Sequence, residues 1–357
     1  MAKNALIIGA GLAGTCLAHR LLSSGIDVQI LDQGSNHSSA IAAGMVNPMV
    51  FRRMNKSWRL DEFLPEAQAF YRDIEQQLQT KFYHPIVIRR FFSSAEERDS
   101  WQQKASQEAY QNYLEKLSPA DLENQAAINL FGSGRVRNAF WIDAANWVKE
   151  HLAYFAAQGN LLQKPFEAKA WDPATRKYDG ITYDYVIFCM GYQQKEEPTF
   201  AYLPLQQTKG QTLLIESALL SDAESLNRKC FVLPYGKGRF RVGATYEWNN
   251  ATLHHTPEAR EILLQNLSAL GSYEPVVMEQ AAGVRPTVLD RRPLMGKHPD
   301  FDGVFVFNGL GTKGYMMAPT LARELAAFIT MNTPLHPETN ISRFTESKVW
   351  FTPCYMA

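Results

Sequence analysis

The chain has 357 residues, 46% hydrophobic and 20% charged, enough for a large buried core and roughly two or three domains. Lysine plus arginine equals aspartate plus glutamate at 36 each, so no global field draws in nucleic acid or an anionic membrane. Cys16, Cys189, Cys230 and Cys354 form no CxxC pair, so neither a zinc ribbon nor a redox dithiol is expected, and no metal site.

Glycines interrupt the N-terminal apolar run too early for a signal peptide, and no apolar stretch approaches bilayer-spanning length; a soluble cytoplasmic protein is expected. Residues 5–9 read as a buried parallel strand, 12–24 as a helix stopped by Gly25, and 26–32 as a second strand. Between them Gly9, Gly11 and Gly14 make GxGxxG: the first permits a tight turn, the second a close approach to pyrophosphate, the third close helix packing. Leu12 and Ala13 head the helix, whose free N–H groups face the phosphates. Asp32 ends the second strand, placed to accept ribose hydroxyl protons and to disfavour a 2′-phosphate, with Gln33 beside it.

Residues 35–50 read as a short helix or loop with unusual backbone needs. Leu60, Phe63, Leu64, Ala67, Tyr71, Ile74 and Leu78 then line one face of a helix. FYHPIVIRRFF predicts a strand pair carrying surface arginines, 95–117 a polar helical region, and the stretch around Gly132–Gly134 short strands with turns. A helix is expected over 144–158 and a core strand at YDYVIF, with Gly191 just after it. Residues 205–250 read as antiparallel sheet with a hairpin at Gly236–Gly238, followed by a helix at 258–270. A strand at 303–308, a tight GLGTKG loop and a helix at 315–330 complete the pattern, with a tail beyond 334 packing across the surface. The fold class is α/β (α+β overall), a Rossmann-like unit interleaved with an antiparallel-sheet domain. The expected division is 1–80, 145–205 and 275–345 for the cofactor domain, 81–144 and 206–274 for the substrate domain, and 346–357 as a C-terminal tail.

Several segments carry a family resemblance: GAGLAG, SSAIAAGMVNP (38–48), VIFCMGY (186–192), KGQ (209–211), VGATYE (242–247), AGVRPTVLDRRPLMG (282–296) and FNGLGTKGYMMAPTLARELAAFI (307–329). In order and spacing they resemble the D-amino-acid-oxidase-like, glycine/sarcosine oxidase-like FAD-dependent oxidoreductases. The resemblance implies non-covalent FAD, since no cysteine lies near 285–315. It places Ala42, Ala43, Gly44 and Met45 beside the isoalloxazine ring, with Phe166 and Gly191 also at the cofactor. Leu310, Gly311, Thr312, Lys313, Gly314 and Tyr315 head a helix whose N–H groups would face the flavin N1/C2 oxygen. Lys313 adds a cation there or is a solvated loop lysine.

Arg285 is the expected ligand of a substrate carboxylate, the alternative being a structural ion pair. Tyr246 is expected near the flavin face, and Trp248 either walls the pocket or fills a core. Thr312 stands where glycine oxidase has an arginine, which argues against a small glycine pocket. Arg52, Arg53, Arg291 and Arg292 either favour a larger or doubly anionic substrate or lie on the surface. The activity implied is hydride removal from the carbon beside an amine in a small anionic substrate. A 2-hydroxy-acid or polyol dehydrogenase, or oxidation of a carboxymethylaminomethyl-modified tRNA base, stand as alternatives. The neutral charge balance disfavours nucleic acid, no membrane partner is expected, and the electron acceptor stays open.

Overall fold

The computed structural model describes residues 2–34 and 38–344, so the expected tail 346–357 and Cys354 lie outside the described residues. In chain order the elements that matter are β1 (Asn4–Ile8), α1 (Leu12–Ser23), β2 (Asp27–Asp32), β3 (Met45–Val46), α2 (Leu60–Leu78) and β4 (Tyr83–Phe91). They continue with α3 (Ala95–Ala105), β5 (Ser133–Ile142), α4 (Ala144–Ala157), β6 (Leu161–Gln163), β7 (Tyr185–Phe188) and β8 (Leu205–Glu216). Then come β9 (Ser225–Asn227), β10 (Phe231–Gly236), β11 (Arg239–Gly243), β12 (Glu247–Trp248), α5 (Pro257–Ser268) and β13 (Val276–Val288). The last are β14 (Leu294–Lys297), β15 (Val304–Asn308) and α6 (Gly314–Met331).

The chain divides into two compact units, each assembled from separate segments: 1–39, 148–208 and 285–357 in one, 40–147 and 209–284 in the other. The first unit holds a six-stranded sheet of order β14-β15-β7-β1-β2-β6. Its inner strands are parallel, with Ile7 in register with Ile30 on one side and Ile187 on the other. Strands buried on both faces read as continuous apolar runs, which is why ALII and YVIF are so uniformly hydrophobic. Leu6, Ile8, Val186, Phe188, Val304 and Val306 pack with Tyr178, Tyr183 and Phe200 in one core cluster. Helices α1 and α6 pack against each other and bury Cys16, Leu17, Leu21, Met316, Leu321 and Leu325.

The second unit carries a larger, mostly antiparallel sheet of order β12-β8-β11-β10-β9-β4-β5-β3, with β13 also pairing with β8. Leu213, Val232, Phe240 and Val242 point to one face and pack with Leu263 and Leu267 of α5.

Several expectations are corrected. FYHPIVIRRFF forms one nine-residue strand, β4, not a strand pair, because β5 pairs along its length from Tyr83–Ile142 to Phe91–Ser133. Its arginines are buried: Arg89 bonds Asp121 and Glu224, and Arg90 bonds Glu97. The polar helix ends at Ala105, and the stretch after Gly132 is the ten-residue β5 rather than short strands. Residues 40–80 group with the larger sheet instead of the cofactor unit. The reason is the apolar face of α2: Tyr71 meets Trp147 at 5.1 Å and Phe140 at 6.0 Å between ring centroids, so its burial partners belong to that unit. Among the described residues no helix is long and apolar enough to cross a membrane, and no three metal-ligating side chains gather.

Candidate active site

The glycine motif has the geometry its spacing demands. Gly9 sits at φ 109°, and a Cβ on Gly14 would lie 1.9 Å from the Gly9 carbonyl oxygen, so α1 rests directly on the strand end. A Cβ on Gly11 would meet only the Ser39 hydroxyl at 3.3 Å. This glycine has no backbone packed against it and leaves a cradle for a phosphate at the head of α1. Ser39 Oγ accepts the Leu12 N–H at 3.0 Å, which shows where an oxygen acceptor is held at that helix end. Asp32 is buried. Its Oδ2 accepts the Ala10 N–H and its Oδ1 the Gly34 N–H, each at 2.6 Å. A carboxylate oxygen can accept more than one hydrogen bond, so an acid at this place suits ribose hydroxyls. Ala13 is half-buried and Gln33 exposed beside these groups.

A second helix head lies in the same unit. Gly314 begins α6, and a Cβ there would touch Leu12 at 3.1 Å, so the starts of α1 and α6 adjoin. The Tyr315 hydroxyl donates to the Ser39 carbonyl at 2.9 Å, tying α6 to the same segment. Leu310 is buried, Gly311 adopts φ 56°, Thr312 is exposed and Lys313 occupies the N-cap position. Burial pushes the half-buried Lys313 ammonium down to about 8, so it is not an ordinary solvated loop lysine. Two adjoining helix N-termini and a desolvated lysine concentrate positive potential, which suits a pyrophosphate and a ring oxygen that gains charge on reduction. Gly191 adopts φ 57° and its carbonyl accepts from Asn308 Nδ2 at 2.8 Å, linking the ends of β7 and β15. Phe166 stacks on Tyr178 with centroids 5.4 Å apart, on the core side of the sheet.

The Arg285–Thr287 segment joins this loop. The Gly311 N–H donates to the Pro286 carbonyl at 3.0 Å, and the Thr208 and Thr287 hydroxyls lie 2.7 Å apart. Arg285 is half-buried at the strand step just before that contact. Arg291 is exposed, and Arg292 pairs with Glu338.

In the larger-sheet unit, Ala42 is exposed, Ala43 half-buried and Gly44 buried at φ 67°. A Cβ on Gly44 would lie 1.9 Å from the Ile142 carbonyl oxygen, so its need for glycine comes from packing on β5. Met45 then pairs with Trp141 at the sheet edge. Tyr246 and Trp248 are 47% and 53% exposed with ring centroids 5.0 Å apart, so Trp248 fills no core. Arg52 and Arg53 are exposed. Sequence reasoning missed Trp141, Tyr235 and Arg241, which share a face of this sheet. The signal was present in RFRVG, where an arginine alternates with core residues.

The sequence matches the DAO family, FAD dependent oxidoreductase, over residues 4–328. The chain belongs to this family and is an FAD-dependent oxidoreductase. It is 24% identical to an uncharacterized oxidoreductase, YurR, of Bacillus subtilis (strain 168), over 92% of this chain and 95% of that protein. Glycine oxidase of Pseudomonas aeruginosa is also 24% identical, over 94% and 97% of the two chains. So is the tRNA 5-methylaminomethyl-2-thiouridine biosynthesis bifunctional protein MnmC of Idiomarina loihiensis, of which this chain spans 59% while 96% of this chain is matched. Among solved structures, glycine oxidase from Geobacillus kaustophilus superposes with a TM-score of 0.79 at 17% identity, covering 97% of this chain and 99% of that one. The glycine cradle, buried Asp32 and paired helix heads are the parts of this oxidoreductase that fit FAD.

Proposed function

We propose that this oxidoreductase oxidises the carbon beside an amine in a small substrate bearing a carboxylate. The observation that carries the reading is the tie between the backbone of the Arg285–Thr287 segment and the loop at the head of α6, made by the Gly311–Pro286 hydrogen bond. A guanidinium fork carried on a segment tied to a helix N-terminus would suit a carboxylate, which leaves water only for charge-assisted partners. Bound FAD supplies the two-electron acceptor for a hydride from the substrate carbon. The chain's part is to bind and orient: in the six-stranded unit Arg285 takes the carboxylate while Lys313 and the α6 head hold positive potential; the larger-sheet unit, by itself, offers the aromatic surface of Tyr246 and Trp248. Gly9, Gly11, Gly14 and Asp32 hold the dinucleotide in the six-stranded unit, and the larger sheet serves as the substrate domain. The P. aeruginosa relative is named for glycine, an amine beside a carboxylate, which supports the same class.

A second reading, oxidation of a modified tRNA base, draws support from the relatives named for tRNA thiouridine biosynthesis and from the exposed Tyr246–Trp248 pair, on which a base would stack. The test is anaerobic bleaching of the flavin by a panel. Amino acids and N-substituted glycines should bleach it. Bleaching by hydroxy acids alone, or by a carboxymethylaminomethyl nucleoside in RNA alone, would replace the first reading.

A further inference from the structure

Within the larger-sheet unit, Arg241 is a buried cation with no ion pair among the described residues. Phe240 and Val242 of β11 point into the α5 core, so Arg241 between them faces the opposite side of the sheet. It is 8% exposed. Nη1 reaches the Thr212 hydroxyl at a long 3.3 Å, the guanidinium also hydrogen-bonds Tyr235, and Nε makes no hydrogen bond to any described residue. The guanidinium lies 5.1 Å from the centre of the Tyr235 ring. A register shift between Pro234 and Gly236 re-aims that tyrosine. Tyr235 cannot serve as counter-anion: burial first, then Asp143, push its phenol up to about 12, and it donates to Asp143 Oδ1 at 2.8 Å. Trp141 stands 5.1 Å from Tyr235, and His84 stacks on Trp141 at 4.3 Å, so the surroundings are largely aromatic; the nearby carboxylate, Asp143, is taken up by Tyr235 and makes no ion pair with Arg241 among the described residues. Arg89, in the same sheet, has two carboxylates.

A guanidinium keeps its charge at any working pH and is expensive to bury unpaired. Cation–π contact with one tyrosine offsets part of that cost, but it leaves the Nε donor unfilled. We propose that Arg241 is an anion-binding residue that receives the carboxylate of a ligand on this face of the sheet. Thr212 steadies one nitrogen, and the Nε edge of the planar fork is left for the oxygen pair of a carboxylate. The proposal rests on the reading that the substrate bears a carboxylate. It adds a site for one that the sequence motifs did not mark.

The test is thermal unfolding of the FAD-loaded protein against sodium acetate, with sodium chloride at matched ionic strength as the inorganic arm. Four proteins are compared: wild type, Arg241→Met, Arg285→Met and the double variant. Lys237→Met, an exposed hairpin cation, controls for lost surface charge. The expected result is an acetate-specific rise in Tm for wild type, a component of which weakens at least tenfold in apparent affinity in Arg241→Met. Without acetate, Arg241→Met should melt at or above the wild-type temperature, since an unpaired buried charge is gone. Arg241→Lys, which keeps charge but loses the fork, should recover only part of the response. An acetate response untouched by Arg241→Met but abolished by Arg285→Met would overturn this assignment while sparing the reading of Arg285. The reverse pattern would spare Arg241 and remove Arg285. A wild type that responds to chloride as it does to acetate, or to neither, overturns the carboxylate assignment. So does an Arg241→Met protein that melts several degrees lower with an intact acetate response, because the residue is then structural.

Discussion

The two units present charge in opposite ways. The six-stranded unit does it with backbone: the heads of α1 and α6 adjoin, and glycines clear the space in front of them. The larger sheet does it with guanidinium groups sunk into strands, some matched by carboxylates, as at Arg89, whereas Arg241 makes no ion pair among the described residues. Backbone dipoles are fixed in place by the fold and need no counter-charge. A buried guanidinium must be matched, either by a residue of the chain or by a ligand. The difference teaches that the same protein can mark an anion site by local chain geometry in one region and by an unsettled charge in another.

The sharpest way to break the comparison is Arg89→Met. It leaves Asp121 buried without its cation and the half-buried Glu224 with Arg135 alone, and removing one partner of a buried pair costs about 3–5 kcal/mol. Denaturant unfolding measures this. A loss near zero would mean that Arg89 and Arg241 do not differ. Gly44→Ala should come next. Its Cβ would sit 1.9 Å from the Ile142 carbonyl oxygen, at a φ of 67°. Overpacking costs about 1–3 kcal/mol, and the left-handed backbone about 1–2 kcal/mol more for an L-residue. A melting temperature equal to wild type would show that the β5 contact yields easily.

Arg285→Lys tests the other unit's side of the contrast. The charge stays but the fork is lost, and we expect a weakening of carboxylate binding by about 1.5–3 kcal/mol, the range for hydrogen bonds to charged groups. The measurement pairs flavin absorbance per chain with the substrate concentration that gives half-maximal anaerobic bleaching. Flavin content should hold, because Arg285 is not among the Gly9–Gly14 and Asp32 contacts. An unchanged half-saturation at full flavin content would take Arg285 out of the substrate site.

How much of this was legible follows the same divide. The βαβ start was readable because each requirement is local: a strand, three glycines, a helix and an acid within 32 residues. The head of α6 was readable for the same reason. The larger sheet was not. Arg89 meets Glu224 across 135 positions, and nothing in IRRFF distinguishes a surface arginine from one whose carboxylate comes from so far along the chain. FYHPIVIRRFF forms the single strand β4 because β5, well further along the chain, pairs along it past Pro85 with only a register shift, and the local sequence does not name that partner. Residues 40–80 were misallotted because amphipathicity shows that α2 buries a face without naming the surface that receives it. In RFRVG the alternation sets Arg241 opposite Phe240 and Val242, but Thr212, which meets its guanidinium, lies 29 positions away.

Lys313 gives the smallest effect, since a half-buried ammonium is still partly screened by water. Its sign is definite. The unfolded chain holds this proton up to about the ordinary 10.5, whereas burial in the folded, flavin-free protein lowers the value to about 8. Between those two pH values the unfolded state binds more protons, so stability rises with pH across that window. Below about 8 both states carry the charge, and the folded state bears a constant penalty. Lys313→Met removes the titration. In the flavin-free protein, the stability difference between wild type and variant should stay flat below pH 8 and shift toward wild type above it. A difference that does not change with pH would place the ammonium in water and leave the α6 head with its helix dipole alone. In the FAD-loaded protein the same slope should shrink, because an anionic or electron-rich group near the ammonium restores the charged form. A slope of equal size in both forms would separate Lys313 from the flavin.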